Sequence, residues 1–221
     1  MKNISLCITA YDKDIHLLSN LLLHLTMQTV APTEILIYCS GVKNINTVDN
    51  IKIQNSIVPI IPIISNTRQL QSKARNVCSD YANTDLLIFF DIDDIPHPQK
   101  IEAIKAHILN YDFLVHSYKK QLDTKYFDLF NVHSIATCDN LYIDPNPNST
   151  NIESNIKHPI SHGHLAIKKH IFSNITYDEN FYYYNSKGEK FCSGEDGKFC
   201  QDLIRNGYKG IFLDFPLIIY T

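Results

Sequence analysis

The sequence predicts an α/β fold with a mostly parallel central sheet flanked by helices, and three observations support this prediction. Apolar, β-branched stretches alternate with stretches of helical periodicity through the first half of the chain. The chain has 221 residues, of which 44% are hydrophobic, so it is long enough to form one domain with a substantial core. One apolar stretch ends directly in three carboxylates, at the position where open α/β sheets bind ligands.

The first half of the chain carries the clearest periodicity. Ile15, Leu18 and Leu22 recur at three- and four-residue spacing, which is typical of one helix face. Pro59 and Pro62 interrupt an apolar stretch and favour an edge strand, because proline cannot donate a ladder hydrogen bond. The elements predicted for this half are strand 4–9, helix 13–28, strand 34–39, strand 57–64, helix 68–82, strand 86–90, helix 100–109 and strand 113–118.

The second half is less regular. Residues 122–160 are polar and rich in turn formers, which predicts a long loop of the kind that is often functional or mobile. A strand is predicted at 164–167 and a helix at 196–205, which ends at an Asn-Gly pair. The last strand, 210–220, is predicted to break at Pro216.

Composition excludes several classes of protein. The net charge of -3 lacks the basic surplus of a nucleic-acid binder, so no nucleic-acid partner is predicted. No apolar stretch reaches the roughly 18 residues that a transmembrane helix needs, and the start lacks the apolar core of a signal peptide. We therefore expect a soluble, cytoplasmic protein. The six cysteines include no C-x-x-C pair, which argues against a structural zinc site.

Three carboxylates at the end of strand 86–90 are the strongest clue to chemistry. Asp91, Asp93 and Asp94 follow five apolar residues directly. Clustered carboxylates repel one another unless a cation neutralises them, and their oxygens suit Mg²⁺ or Mn²⁺. Such an ion can stabilise a diphosphate leaving group. The alternative interpretation is an acidic turn that caps the following helix.

A second acidic pair, Glu195 and Asp196, begins the helix predicted at 196–205. Acidic residues are favoured in the first turn of any helix, which explains the pair without a catalytic role. A carboxylate can also act as a general base that accepts the proton of an attacking hydroxyl. Both interpretations stay open on the residues alone.

Together these segments resemble the inverting GT-A glycosyltransferases of family 2. The resemblance covers nearly the whole chain in order, and its motifs are the first strand and turn 4–12, Gln28-Thr29 with Pro32 and the strand from Glu34, Asn66 with Ala74-Arg75-Asn76, Phe89 to Asp94, Gly194-Glu195-Asp196, and Arg205 to Tyr208. It implies a GT-A fold over 1–221, with a nucleotide-binding half at 1–121 and an acceptor-binding and catalytic half at 122–221. It also implies a nucleotide-sugar donor, with a UDP-sugar as the best candidate, and a glycan, protein or small-molecule acceptor.

The resemblance assigns roles to individual side chains. Donor or nucleotide contacts fall to Thr9, Tyr11, Asp12, Arg75, Asp91 and Asp94. The family often carries an acidic pair at the end of its second strand, whereas this chain has Ser40, which could bond the base instead. This departure leaves the nucleotide open.

The same resemblance assigns the metal and the base. Asp93 would be the direct ligand of Mn²⁺ or Mg²⁺, with Asp91 beside it, and His164 is a further candidate ligand. Asp196 would be the general base, and Glu195 would help to hold the acceptor. The aromatic stretch Tyr182–Tyr184 could stack on sugars or serve as ordinary core.

Two other functions compete with this interpretation. Phosphatases of the haloacid-dehalogenase type also place D-x-D after an apolar strand, with Asp91 as nucleophile, but they carry it on the first strand. A catalytically inactive nucleotide-sugar-binding module would keep the fold without transferring sugar. The intact Asp93 and Asp196 argue against that module.

Overall fold

The computed structural model describes residues 3–43, 58–120, 128–156 and 159–220. Residue 57 of the third predicted strand and parts of the predicted 122–160 loop lie outside the described residues. The strands are β1 Ile4–Tyr11, β2 Glu34–Ser40, β3 Ile60–Ser65, β4 Leu86–Asp91, β5 Ile95–Pro96, β6 Phe113–Lys120, β7 Thr137–Cys138, β8 Leu141–Ile143, β9 Ile152–Ser154, β10 Ile160–Lys168, β11 Tyr183–Tyr184, β12 Lys190–Phe191 and β13 Gly210–Tyr220. The α-helices are α1 Leu18–Thr26, α2 Gln71–Tyr81, α3 Lys100–His107 and α4 Glu195–Arg205.

The central sheet is mostly parallel, as predicted. Its strand order within the described residues is β3-β2-β1-β4-β10-β6-β13-β5, and β7 pairs with β13. Strands β1 to β4 run parallel to one another, and β6 runs parallel to β13. Strand β10 lies antiparallel between β4 and β6. The sheet therefore presents the carboxyl ends of β1, β2 and β4 along one edge.

Burial explains why these stretches form strands. Strands β1, β2 and β4 are buried along almost their whole length, because helices cover both faces of the sheet. Helices α1 and α3 pack into the core on one face, and α2 and α4 pack into the core on the other. Strand β3, which contains Pro62, lies at the edge of the sheet as predicted.

The second half differs from the sequence prediction in three places. The described part of 122–160 forms the short strands β7, β8 and β9 in addition to turns. Strand β10 is longer than predicted and begins at Ile160. The predicted break of the last strand at Pro216 is wrong, because β13 continues through this residue and absorbs the proline by shifting its register against β6.

Two further features bear on the predictions from composition. No helix in the described ranges is long and apolar enough to cross a membrane. The six cysteines are free thiols, and five of them are buried.

Candidate active site

The carboxyl ends of the parallel strands bring predicted donor residues together. The register of β1 against β4 sets Thr9 beside Asp91, and the register of β1 against β2 sets Tyr11 beside Ser40. Thr9 is buried, and its hydroxyl has no hydrogen-bond partner among the described residues. These four residues therefore line one edge of the sheet, and the pairing of the strands fixes their relative positions.

Arg75 forms ion pairs with three carboxylates of the site. Its side chain on α2 is 1% exposed, and its Nη2 lies 3.1 Å from Oδ1 of Asp91. Its Nη1 lies 3.0 Å from Oε1 of Glu195 and 2.5 Å from Oδ1 of Asp196. The ring of Tyr177 lies under the guanidinium, with 5.4 Å between its centroid and the Arg75 Cζ. One buried cation thus joins the end of β4 to the start of α4.

The residue after Arg75 fixes the neighbouring chain. Asn76 donates from Nδ2 to the Tyr177 carbonyl at 2.9 Å and accepts from the Tyr177 amide at 2.9 Å. The same Nδ2 donates to Glu179 at 3.1 Å. The ring of Tyr177 stacks on Phe199 of α4 with centroids 4.1 Å apart. Asn76 and Phe199 therefore hold the aromatic ring against which Arg75 lies.

Two glycines allow α4 to begin close to a neighbouring loop. Gly194 precedes the helix with φ of 77°, a backbone conformation that favours glycine. A Cβ on Gly194 or on Gly197 would collide with Thr150. The spacing of the Gly-Glu-Asp-Gly segment is thus explained by close packing, which places Glu195 and Asp196 against Arg75.

Asp196 has the environment of a proton-transfer group. Burial raises the pKa of its carboxyl to about 8, against the opposing effect of Arg75, while Glu195 and Asp91 add to the rise. A carboxyl that exchanges its proton near neutral pH is suited to general acid–base chemistry.

Gly163 lies where the strand end and the predicted base approach each other closely. A Cβ at this position would lie 2.9 Å from Oδ2 of Asp91, 3.5 Å from Oδ2 of Asp196 and 3.9 Å from Nη2 of Arg75. The contact with Asp91 is closer than real Cβ atoms tolerate. Residue 163 therefore has no room for a side chain beside these charged groups.

On the other side of Asp91 lies a group of possible metal ligands. Ligand atoms of Asp91, Asp94 and His164 all lie within 4.8 Å of one another. His164 Nε2 is 2.7 Å from Asp94 Oδ2, and its Nδ1 is 2.7 Å from the hydroxyl of Ser161. Burial lowers the pKa of His164 to about 3, so its imidazole is neutral and can offer a lone pair. Two carboxylates and a neutral imidazole are suitable ligands for a divalent ion.

Asp93 lies outside that group of three. It is exposed on the turn after β4, and desolvation together with the charge of Asp94 raises the pKa of its carboxyl. Its role as the direct metal ligand stays a prediction. His164, the further candidate from the sequence, lies beside Asp91 and Asp94 instead.

The end of β2 explains how the chain manages without the carboxylate expected there. The Ser40 hydroxyl accepts a 2.6 Å hydrogen bond from the Gln69 amide, so it anchors the loop before α2. The carboxyl carbon of Asp12 lies 3.7 Å from the position that a Cβ on Gly41 would occupy. Asp12 therefore supplies a carboxylate at the end of β2, and the base-binding role of Ser40 stays a prediction.

Several residues of the site were not singled out from the sequence. Gly163, Thr150 and Tyr177 act through close packing, which leaves no local pattern. Lys100 and His116 are buried near the possible metal ligands. A lysine at the first position of a helix was the one available signal for this group, because that position normally favours acidic side chains.

A cavity of about 340 Å³ opens over these groups and is lined by Asp91, Gly163, His164 and Asp196, among others. It shares Tyr118, Asn151, Ile160 and His162 with a larger cavity of about 740 Å³. The larger cavity is formed mainly by β8, β9 and the start of β10. The exposed rings of Tyr183 and Tyr184 lie in the β11–β12 hairpin, and neither ring lines the two cavities.

Comparison with known proteins agrees with this architecture. The family described as Glycosyl transferase family 2 matches residues 5–176. Among curated proteins, none matches the sequence. The structure of S. aureus TarS 1-349 superposes with a TM-score of 0.70 at 17% identity, covering 99% of this chain and 60% of that one. Its complex with UDP-GlcNAc gives a TM-score of 0.69 at 18% identity, with 99% and 58% covered.

These matches decide the fold and the family. This chain spans about 60% of the length of the TarS fragment that it matches. The match to solved structures confirms the predicted GT-A fold, and the family match decides against the phosphatase alternative. The chain belongs to glycosyl transferase family 2.

Proposed function

We propose that this protein transfers a sugar from a UDP-sugar to an acceptor hydroxyl with inversion at the anomeric carbon. The observation that carries the proposal is the Arg75 network, which holds the strand-end carboxylate of Asp91 and the carboxylate of Asp196 together in the wall of the cavity of about 340 Å³. A donor bound along the strand ends would then present its anomeric carbon beside a proton acceptor. Inversion follows if the hydroxyl attacks from the side opposite the leaving diphosphate.

The residues around Asp91 fit a divalent cation. Asp91, Asp94 and His164 would hold Mn²⁺ or Mg²⁺, with exposed Asp93 available as a further oxygen ligand. Three or four protein ligands leave positions for diphosphate oxygens. When bound, the ion would supply positive charge that stabilises the leaving UDP.

The protein's own side chains account for the remaining steps. The oxygen of the acceptor hydroxyl bonds to the anomeric carbon while the bond from that carbon to the diphosphate breaks. Asp196 accepts the proton that this hydroxyl loses. Arg75 holds Asp196 in place and offers positive charge beside Asp91. Glu195, fixed by the same guanidinium, orients Asp196 at the start of α4.

The donor and the acceptor are proposed to bind in different halves of the chain. The nucleotide would lie along 1–121, over Thr9, Tyr11 and Asp12 at the carboxyl end of β1. The acceptor would lie along 122–221, in the cavity of about 740 Å³ that joins the catalytic cavity. This cavity is lined by polar side chains and tyrosines, which suit a hydroxyl-rich acceptor.

UDP is the proposed nucleotide. The complexes of S. aureus TarS with UDP and with UDP-GlcNAc share the fold of this chain, with TM-scores of 0.69 in both cases. Asp12 at the end of β2 offers the carboxylate that the N–H of a uracil ring can bond.

A thermal-shift panel of nucleotide-sugars with and without Mn²⁺ tests this proposal. Binding raises the unfolding midpoint by an amount set by the ligand concentration over Kd, so the true donor should give the largest shift, and Mn²⁺ should increase it. Equal shifts of the unfolding midpoint for UDP-, GDP- and CMP-sugars, or shifts that do not depend on Mn²⁺, would contradict the proposal. Donor binding without UDP release in the presence of any acceptor would favour the inactive binding module.

A further inference from the structure

A buried lysine lies behind the proposed metal ligands, and the proposed mechanism does not use it. Lys100 is the first residue of α3 and is fully buried. Its Nζ lies 4.1 Å from the centroid of the Phe90 ring, and Phe90 immediately precedes Asp91 on β4. Within the described ranges, this Nζ has no hydrogen-bond partner.

This position is unfavourable for a lysine on two counts. Burial of an ammonium without a hydrogen bond costs free energy, and the start of a helix already carries partial positive charge. Desolvation accordingly lowers the pKa of Lys100 to about 7, and the charges of Asp94 and then Asp91 oppose this effect. The charges of the two carboxylates therefore favour the ammonium form of Lys100.

The two histidines near Lys100 carry no positive charge. The Nδ1 atom of His116 lies 2.7 Å from the Ser117 carbonyl oxygen. Because a carbonyl only accepts, Nδ1 carries the proton and donates it, and Nε2 has a lone pair. The imidazoles of His116 and His164 lie 5.9 Å apart between centroids. Burial, followed by the charge of Lys100, lowers the pKa of both histidines, which keeps both rings neutral.

Two buried cations thus lie on different sides of Asp91, which both of them influence. Arg75 contacts Asp91, Glu195 and Asp196. We propose that Lys100 is a positioning residue that stands in for the divalent ion at Asp94 and Asp91, balancing their charge while the metal is absent and weakening metal binding by repulsion. The inference rests on the metal part of the proposed function.

Metal binding to the metal-free protein tests this inference without measuring activity. Lys100→Met removes the charge and keeps an unbranched apolar chain over Phe90. At about pH 6, where the native ammonium is protonated, calorimetry should show Mn²⁺ binding about tenfold tighter to this variant than to the native protein, because one repelling charge is gone. Lys100→Arg, which keeps a charge, and Lys105→Met, on the same helix, should retain the native affinity. Native or weaker affinity in Lys100→Met would overturn the inference.

A stability cycle tests the pairing even if one variant folds poorly. Asp94→Asn leaves the Lys100 ammonium short of negative charge, and Lys100→Met leaves Asp94 short of positive charge. The double variant should have a higher metal-free unfolding midpoint than either single variant, whereas additive losses would refute the pairing. If the native protein binds neither Mn²⁺ nor Mg²⁺, the metal part of the proposed function and the stand-in role fail together. The cycle then still decides whether Lys100 balances Asp94.

Discussion

The two sides of the β4 end hold buried cations in opposite ways. Arg75 makes ion pairs at 2.5–3.1 Å with three carboxylates and rests on an aromatic ring. Lys100, equally buried, faces an aromatic ring and neutral histidines, and its ammonium has no hydrogen-bond partner among the described residues. A planar guanidinium with several donors suits a permanent network. An ammonium with no hydrogen bond can balance charge until another cation binds and takes over that role.

This contrast assigns a fixed side and an exchangeable side to the site. The Arg75 side carries the proposed base, whose position should not change during the reaction. The Asp94 and His164 side carries the proposed metal, which arrives and leaves. The predictions that follow alter one side at a time.

Removing Arg75 should give the largest effect. Arg75→Met leaves the carboxylates of Asp91, Glu195 and Asp196 without their shared cation, so the free energy of unfolding should fall by about 3–5 kcal/mol. Sugar transfer should be lost with it. Denaturant unfolding measures the first effect. Arg205→Met, which removes an exposed ion pair on α4, should cost less than about 1 kcal/mol. Equal losses for the two variants would show that the network does not hold the site together.

Adding a methyl group at residue 163 should give the next largest effect. The backbone at Gly163 does not require glycine, so Gly163→Ala should fold, yet its methyl group would lie 2.9 Å from Asp91 Oδ2. Displacement of Asp91 or of the donor should lower the transfer rate by about a hundredfold, with little change in the unfolding midpoint. A rate close to native would mean that transfer does not depend on the placement of Asp91 beside residue 163.

Reasoning from the sequence named residues on both sides of the site but not those that act through close packing. Asp91 follows a five-residue apolar stretch, so the strand pattern located it, whereas the roles of Arg75 and Asp196 came from the resemblance to family 2. Gly163 and Thr150 act through the absence or shape of a side chain, which depends on strands far apart in the sequence. The same limit explains why the predicted strand break at Pro216 was wrong. Whether a proline ends a strand depends on the register of the neighbouring strand, here β6.

On the exchangeable side, Asp93→Asn sharpens the choice of metal ligand. If Asp93 is a direct ligand, the Mn²⁺ concentration for half-maximal transfer should rise by about tenfold or more, and saturating Mn²⁺ should restore much of the rate. Asp80→Asn, an exposed position at the end of α2, is the matched control and should change neither value. An unchanged metal requirement in Asp93→Asn would leave Asp91, Asp94 and His164 as the ligand set.

On the fixed side, the smallest expected effect is the change of the transfer rate with pH. Asp196, with its pKa raised to about 8, accepts a proton only when it is deprotonated, so the transfer rate should increase as the pH rises through that value. Between about pH 7 and about pH 9 the deprotonated fraction grows about tenfold, and the rate at saturating substrates should follow it. A rate that does not change across this pH range would show that Asp196 is not the general base.

The most direct test of the account compares donor binding with transfer in Asp196→Asn. Asparagine keeps the size of the side chain and cannot act as the base, so UDP release in the presence of acceptor should fall by at least about a hundredfold. The Mn²⁺-dependent thermal shift with the same UDP-sugar should stay close to native, because the donor is held by other residues. Native transfer rates in this variant would contradict the account, whatever the donor proves to be.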